Sequence, residues 1–113
     1  MTRLHPIATG LIVDDDFRAH EILTEGLDEF QFDSAYGIDD SKKLLNDNKY
    51  AFVLLDYRLG INQNGLYLVD HIRSTNPIAA IILMSAYGTT FVLRDAIEKS
   101  IDTFLDKPII LDD

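Results

Sequence analysis

Ala51-Phe52-Val53-Leu54-Leu55-Asp56-Tyr57-Arg58 decides the fold. Five apolar residues run without a break into a carboxylate. A short continuous apolar run reads as a strand buried on both faces, the kind found in the middle of a parallel sheet. A carboxylate ending such a strand stands where open α/β sheets bind ligands, just outside the carboxyl ends of their strands.

On either side of this strand the chain alternates. Leu11-Ile12-Val13, running into Asp14-Asp15-Asp16, predicts a second buried strand. Phe17, Ile22, Leu23, Leu27 and Phe30 recur at helical spacing and predict a helix with that stripe on the core, with Gly26 inside it costing about 1 kcal/mol against alanine. Gln31 to Gly37 predicts another strand. Asp39-Asp40-Ser41 supplies N-cap residues for a short helix carrying Leu44 and Leu45. After Asp56, Leu59 to Gly65 is rich in turn formers. Leu66, Val69 and Ile72 mark a third helix, ended by Ser74-Thr75-Asn76-Pro77. Ile78 to Met84 predicts a fourth strand, leading to Ser85. Thr89 and Thr90 are caps for a fourth helix with Phe91, Val92, Ala96 and Ile97. Thr103-Phe104-Leu105 predicts the last strand, before Asp106-Lys107-Pro108. Strand and helix alternating at these spacings predict an α/β fold: a single doubly wound parallel sheet of five strands with right-handed crossovers. No final helix follows the fifth strand in this reading.

Composition narrows the function. The 113 residues suit one domain, 1–113, with an ordinary soluble balance of 47% hydrophobic and 26% charged residues. No apolar run approaches the roughly 20 residues of a membrane helix, and the short run near the N-terminus turns acidic too soon for a signal peptide. The absence of cysteine excludes disulfides and thiolate metal sites and is compatible with the cytosol. A net charge of −9 argues against direct binding to nucleic acid phosphates and suggests carboxylates gathered around a cation.

Four predicted strands end in residues able to do chemistry: Asp14-Asp15-Asp16, Asp56, Ser85 and Lys107. With strand order 2-1-3-4-5, strands one and three flank the switch point, so their ends share one crevice. Carboxylates crowded there repel one another unless a cation sits among them. A hard, oxygen-preferring ion of the Mg²⁺ type suits one or two carboxylates plus waters and phosphate oxygens. A phosphoryl group would meet the metal on one side, and the Ser85 hydroxyl and Lys107 ammonium on the other. A carboxylate can itself be the nucleophile.

Taken in order, Leu11-Ile12-Val13-Asp14-Asp15-Asp16, Phe52 to Leu59, Ile81 to Gly88 and Phe104-Leu105-Asp106-Lys107-Pro108 closely resemble the receiver domain of two-component response regulators, a flavodoxin-like fold of the chemotaxis-regulator superfamily. The resemblance covers nearly the whole chain. It implies that Asp56 is the phosphoacceptor, taking a phosphoryl group from the phosphohistidine of a sensor histidine kinase or phosphotransfer protein. It implies that Mg²⁺ or Mn²⁺ is held by Asp14, Asp15, Asp56 and the backbone carbonyl of Arg58. Ser85 and Lys107 would bind the phosphoryl oxygens, and Phe104 would be the aromatic that follows Ser85. The Lys107-Pro108 bond would be cis. Arg58 and Tyr87, next to the site, would tune the rate at which the phosphoryl group is lost. The domain would be a cytoplasmic signalling switch, catalysing only its own phosphorylation and dephosphorylation, with its fourth helix and fifth strand as the altered surface.

The chain departs from the family in places. The loop from Asp56 to Gly65 is one residue longer, Gly60 stands where proline is common, and Ser100-Ile101 replaces a Gly-Ala pair. The switch aromatic is phenylalanine rather than tyrosine. The expected fifth helix is missing, which suggests a C-terminally truncated domain or part of a longer protein, with homodimerisation as one way to cover the exposed core. Two rival functions are a phosphorylation-independent pseudo-receiver and a small haloacid-dehalogenase-like phosphatase using Asp14 as nucleophile, for which the chain is short. Each residue also has a plainer role: the aspartates as caps, Ser85 as a turn residue, Phe104 as core. His5, His20 and His71 lack metal spacing and read as surface or helix-face residues.

Overall fold

The apolar runs form the strands. The computed structural model describes residues 8–60, 63–86, 94, 98–99 and 101–109. In chain order these contain β1 (Thr9–Val13), α1 (Phe17–Gly26), β2 (Gln31–Ala35), α2 (Ile38–Asp47), β3 (Phe52–Asp56), α3 (Val69–Thr75), β4 (Ala80–Ala86) and β5 (Thr103–Lys107). One turn of 3₁₀ helix, Gly65–Leu68, leads into α3. The strands form one parallel sheet in the order β2-β1-β3-β4-β5. The predicted fourth helix, Tyr87 and the chain after Ile109 fall largely or wholly outside the described residues, and with them the expectation about a fifth helix.

Burial on both faces explains the runs. Leu11, Ile12 and Val13 of β1, and Val53 and Leu55 of β3, are fully buried. Alternate residues point to opposite layers. Leu11, Val13, Val53, Leu55, Ile81 and Leu83 pack with Leu45 of α2 and Val69 and Ile72 of α3. Ile12, Leu54 and Met84 pack on the other face with Leu23 of α1. Phe30, Phe32 and Phe52 extend that second layer, with ring centroids 5.3–6.4 Å apart and edges on faces.

Several element readings need correction. In α1 the buried residues are His20 and Leu23, while Phe17 and Ile22 are 60% and 47% exposed. At 100° per residue Ile22 lies about 200° round the helix from His20, so both cannot face the sheet. His20 is therefore interior rather than a surface residue. Gly26 closes α1 instead of interrupting it. β2 stops at Ala35 because the next two backbone amides, of Tyr36 and Gly37, donate to the Asp40 carboxylate at 2.7 and 2.9 Å. Gly37 is thus the N-cap of α2, and Asp40 serves it from inside the first turn. β4 begins at Ala80 rather than Ile78. Pro77 and Ile78 lie in a turn closed by Ala79 N–H on the Asn76 carbonyl at 3.1 Å, leaving Ile78 94% exposed. β5 spans Thr103–Lys107 and so ends at Lys107, as expected.

Asn76 joins the layers at the far end of the sheet from the strand termini. Its Oδ1 accepts from the Tyr50 amide at 2.7 Å, and its Nδ2 donates to the Leu45 carbonyl at 3.3 Å. Among the described residues, no helix is long and apolar enough to cross a membrane.

Candidate acidic phosphoryl and metal site

The carboxyl ends of β1, β3, β4 and β5 border one cleft of about 450 Å³. It is lined by Asp14, Asp15 and Asp16, by Asp56 with Tyr57, Arg58 and Gly60, and by Ser85, Ala86 and Lys107. The structure thus brings together residues from four separate strand ends. Phe104 is in register with Leu83, is 42% exposed and does not line the cleft. Tyr87 lies outside the described residues. The Lys107-Pro108 bond is cis.

Asp14 is the first residue past β1 and every polar group on it is used. Its amide donates to Ala35 O at 3.1 Å. Its Oδ1 accepts from the Asp16 amide at 2.9 Å, and its Oδ2 from Lys107 Nζ at 2.7 Å. Its carbonyl accepts from His20 Nε2 at 2.8 Å. Asp16 also lines the cleft, and its side chain caps α1, accepting from the Arg18 amide at 3.0 Å. Asp15 is exposed, yet its carboxylate stays with those of Asp14 and Asp56, their oxygens within 4.8 Å of one another.

Lys107 bridges the two buried acids, with Nζ 2.7 Å from Asp14 and 3.2 Å from Asp56. Burial, followed by the charge of Asp14, pushes the Asp56 carboxyl up to about 7, against the opposing pull of Lys107. For Lys107, burial acts to lower the pKa. The hydrogen bond to Asp14 and the charges of Asp56 and Asp14 outweigh it, and the ammonium is held above its usual range.

The loop after β3 is shaped by two glycines. Gly60 has φ of +119°, a conformation that side chains rarely adopt. A Cβ on Gly65 would lie 2.0 Å from the Asp56 carbonyl oxygen, so only glycine lets the loop return beneath the acid. The return is an antiparallel bridge between Arg58 and Asn64. Its bonds run from Leu59 N to Gln63 O at 3.0 Å and from Gly65 N to Tyr57 O at 2.7 Å, leaving the Arg58 carbonyl out of the pairing. Asn64 Oδ1 then caps the 3₁₀ turn through the Leu66 amide at 2.8 Å.

A hard divalent cation fits this donor set: among the described residues, three carboxylates lie close together in a cleft that the Lys107 ammonium also lines. His20 and Gly65 are the contributors that sequence reasoning missed. The signal for His20 was a polar residue three before Leu23 on the same helix face. For Gly65 it was the glycine ending a run of turn formers.

The chain matches the response regulator receiver domain family over residues 11–113. It is 31% identical over 104 residues to response regulator protein PilR of Pseudomonas aeruginosa, covering 90% of this chain and 23% of that protein. It is 34% identical over 100 residues to transcriptional regulatory protein CusR of Escherichia coli, covering 87% of this chain and 44% of that protein. The chain also spans 54% of the photosynthetic regulator RegA of Rhodobacter capsulatus and 46% of CitT of Bacillus subtilis, so these relatives are all substantially longer. Among solved structures, a response regulator from Burkholderia pseudomallei superposes with TM-score 0.84 at 26% identity, over 92% of this chain and 62% of that one. That structure holds a phosphorylated aspartic acid, a calcium ion and citrate. A two-component response regulator from Clostridium difficile superposes with TM-score 0.83 at 25% identity, over 92% of this chain and 86% of that one. With its parallel sheet of order 2-1-3-4-5 and this match along nearly its whole length, the chain belongs to the response regulator receiver domain family.

Proposed function

We propose that this domain accepts a phosphoryl group on Asp56 from a phosphohistidine of a sensor kinase or phosphotransfer protein. The observation that carries the proposal is the buried Asp56 carboxylate, facing one ammonium at 3.2 Å and two further carboxylates in an open cleft. An Asp56 oxygen attacks phosphorus, the phosphorus–nitrogen bond of the donor breaks, and its electron pair returns to the imidazole. Lys107 neutralises phosphoryl oxygens from one side, and the Ser85 hydroxyl donates to one of them. Asp14, Asp15, Asp56 and the Arg58 carbonyl hold Mg²⁺ or Mn²⁺, which when bound supplies positive charge to the transferring group.

The product is a conformational state rather than a released molecule. The added charge, about −1.5 to −2 at neutral pH, draws the Ser85 hydroxyl inward, and Phe104 on β5 responds. Arg58 and Tyr87 set how readily water reaches the acyl phosphate. The domain acts in the cytoplasm as the input half of a longer regulator, in keeping with the greater length of its relatives. The phosphatase alternative is disfavoured because it gives no role to Asp56, which lines the same cleft 3.2 Å from the Lys107 ammonium.

Intact mass after incubation with acetyl phosphate and Mg²⁺ tests the proposal. One added phosphoryl group, lost with Asp56→Asn and with chelator, is the expected result. An unmodified mass in folded protein would overturn it and favour a phosphorylation-independent interaction module.

A further inference from the structure

Asp15 is the exposed member of the acidic cluster, and among the described residues no hydrogen bond holds its carboxylate. Its placement depends on the backbone that carries it. The Asp14–Asp15 peptide is planar, so fixing the Asp14 carbonyl oxygen also orients the Asp15 amide and Cα. The group that fixes that oxygen is His20, 4% exposed on the inner face of α1, with Nε2 at 2.8 Å. A carbonyl oxygen only accepts, so Nε2 carries a proton. In the neutral ring Nδ1 then accepts from the Ser34 hydroxyl of β2 at 2.8 Å. The Tyr36 ring covers the imidazole at a centroid distance of 4.3 Å. The imidazole is held by β2 on one side and holds the acidic loop on the other.

We propose that His20 is a positioning residue for the cation site. Its Nε2–H sets the Asp14–Asp15 peptide so that the Asp15 carboxylate stands beside those of Asp14 and Asp56. The inference rests on the metal-binding part of the function proposed above. It does not require His20 to touch the ion or the phosphoryl group.

Two substitutions separate positioning from packing. The Gln side chain carries its amide nitrogen to about the place of Nε2, within reach of the Asp14 carbonyl. The shorter Asn reaches only the Ser34 side. Binding of Mn²⁺ to the full chain is measured by the free-ion electron paramagnetic resonance signal, after circular dichroism has established that each variant is folded. His20→Asn and His20→Leu are expected to weaken Mn²⁺ binding about tenfold, and His20→Gln to stay within about threefold of wild type. If His20→Leu does not fold, the Gln and Asn pair decides. Equal Mn²⁺ affinity in wild type, Gln and Asn would overturn the inference, as would Gln binding as weakly as Asn. Acetyl phosphate labelling of wild type runs alongside. Wild type that binds Mn²⁺ but takes up no phosphoryl group defeats the phosphoacceptor proposal alone, and the Mn²⁺ series still decides the role of His20. Wild type that binds no Mn²⁺ defeats the cation site and this inference together.

Discussion

Burial and the neighbouring Asp14 push the Asp56 carboxyl up to about 7, while Lys107 at 3.2 Å pulls the other way. Relative to an unfolded aspartate near 3.8, the folded chain binds this proton more tightly. The stability it contributes is complete below the unfolded value and is lost as pH rises through about 7. Without metal, Asp56→Asn is therefore expected to melt above wild type at pH 8, with a smaller gap at pH 5. A gap independent of pH would show that Asp56 does not carry this strain. Gly65 is a second residue-scale constraint. Gly65→Ala forces a methyl against the Asp56 carbonyl oxygen and is expected to cost about 1–3 kcal/mol in a urea titration.

The elements meet through a few side chains that do more than fill space. Asn76 ends α3 and also satisfies the Tyr50 amide before β3 and the Leu45 carbonyl of α2. Asn76→Ala leaves those buried groups unpaired and is expected to cost about 1–3 kcal/mol, read as a lower urea midpoint with an unchanged slope. The element boundaries that sequence patterning missed fail for related reasons. Ile78 extends an apolar run but lies in the turn set by Asn76, and Gly37 rather than Asp39 or Asp40 starts α2 because the Asp40 carboxylate reaches back. In both places a hydrogen bond outside the strand ladder or helix decides where the element stops. Apolar patterning carries no trace of such a bond.

For the whole molecule, three carboxylates gathered at one sheet end concentrate part of the −9 net charge. A divalent cation binding the folded but not the unfolded chain stabilises it by mass action, about 2.7 kcal/mol at a hundred times its Kd. Thermal melts in Mg²⁺ are expected to rise more than in NaCl of equal ionic strength, and Asp15→Ala to remove most of the difference. An equal rise in both salts would leave general screening as the cause.

The strands themselves and the acids at their ends were legible in the sequence by itself, whereas their order in the sheet follows from the doubly wound pattern that the resemblance implies and is set by the pairing of the strands. A strand buried on both faces needs an unbroken apolar run, and a polar residue stands out at its end, as Asp56 does after Val53-Leu54-Leu55. What only the tertiary structure decided lies across the sequence. Lys107 reaches Asp14 and Asp56 because β5 and β1 belong to one sheet. Gly65 must be bare because the loop returns against the Asp56 carbonyl. His20 reads as an ordinary helix-face residue until packing of α1 brings it to Ser34 and Asp14. Periodicity records which face of an element is apolar. It does not record which distant polar group meets a side chain turned inward, because that contact exists only once the layers have packed.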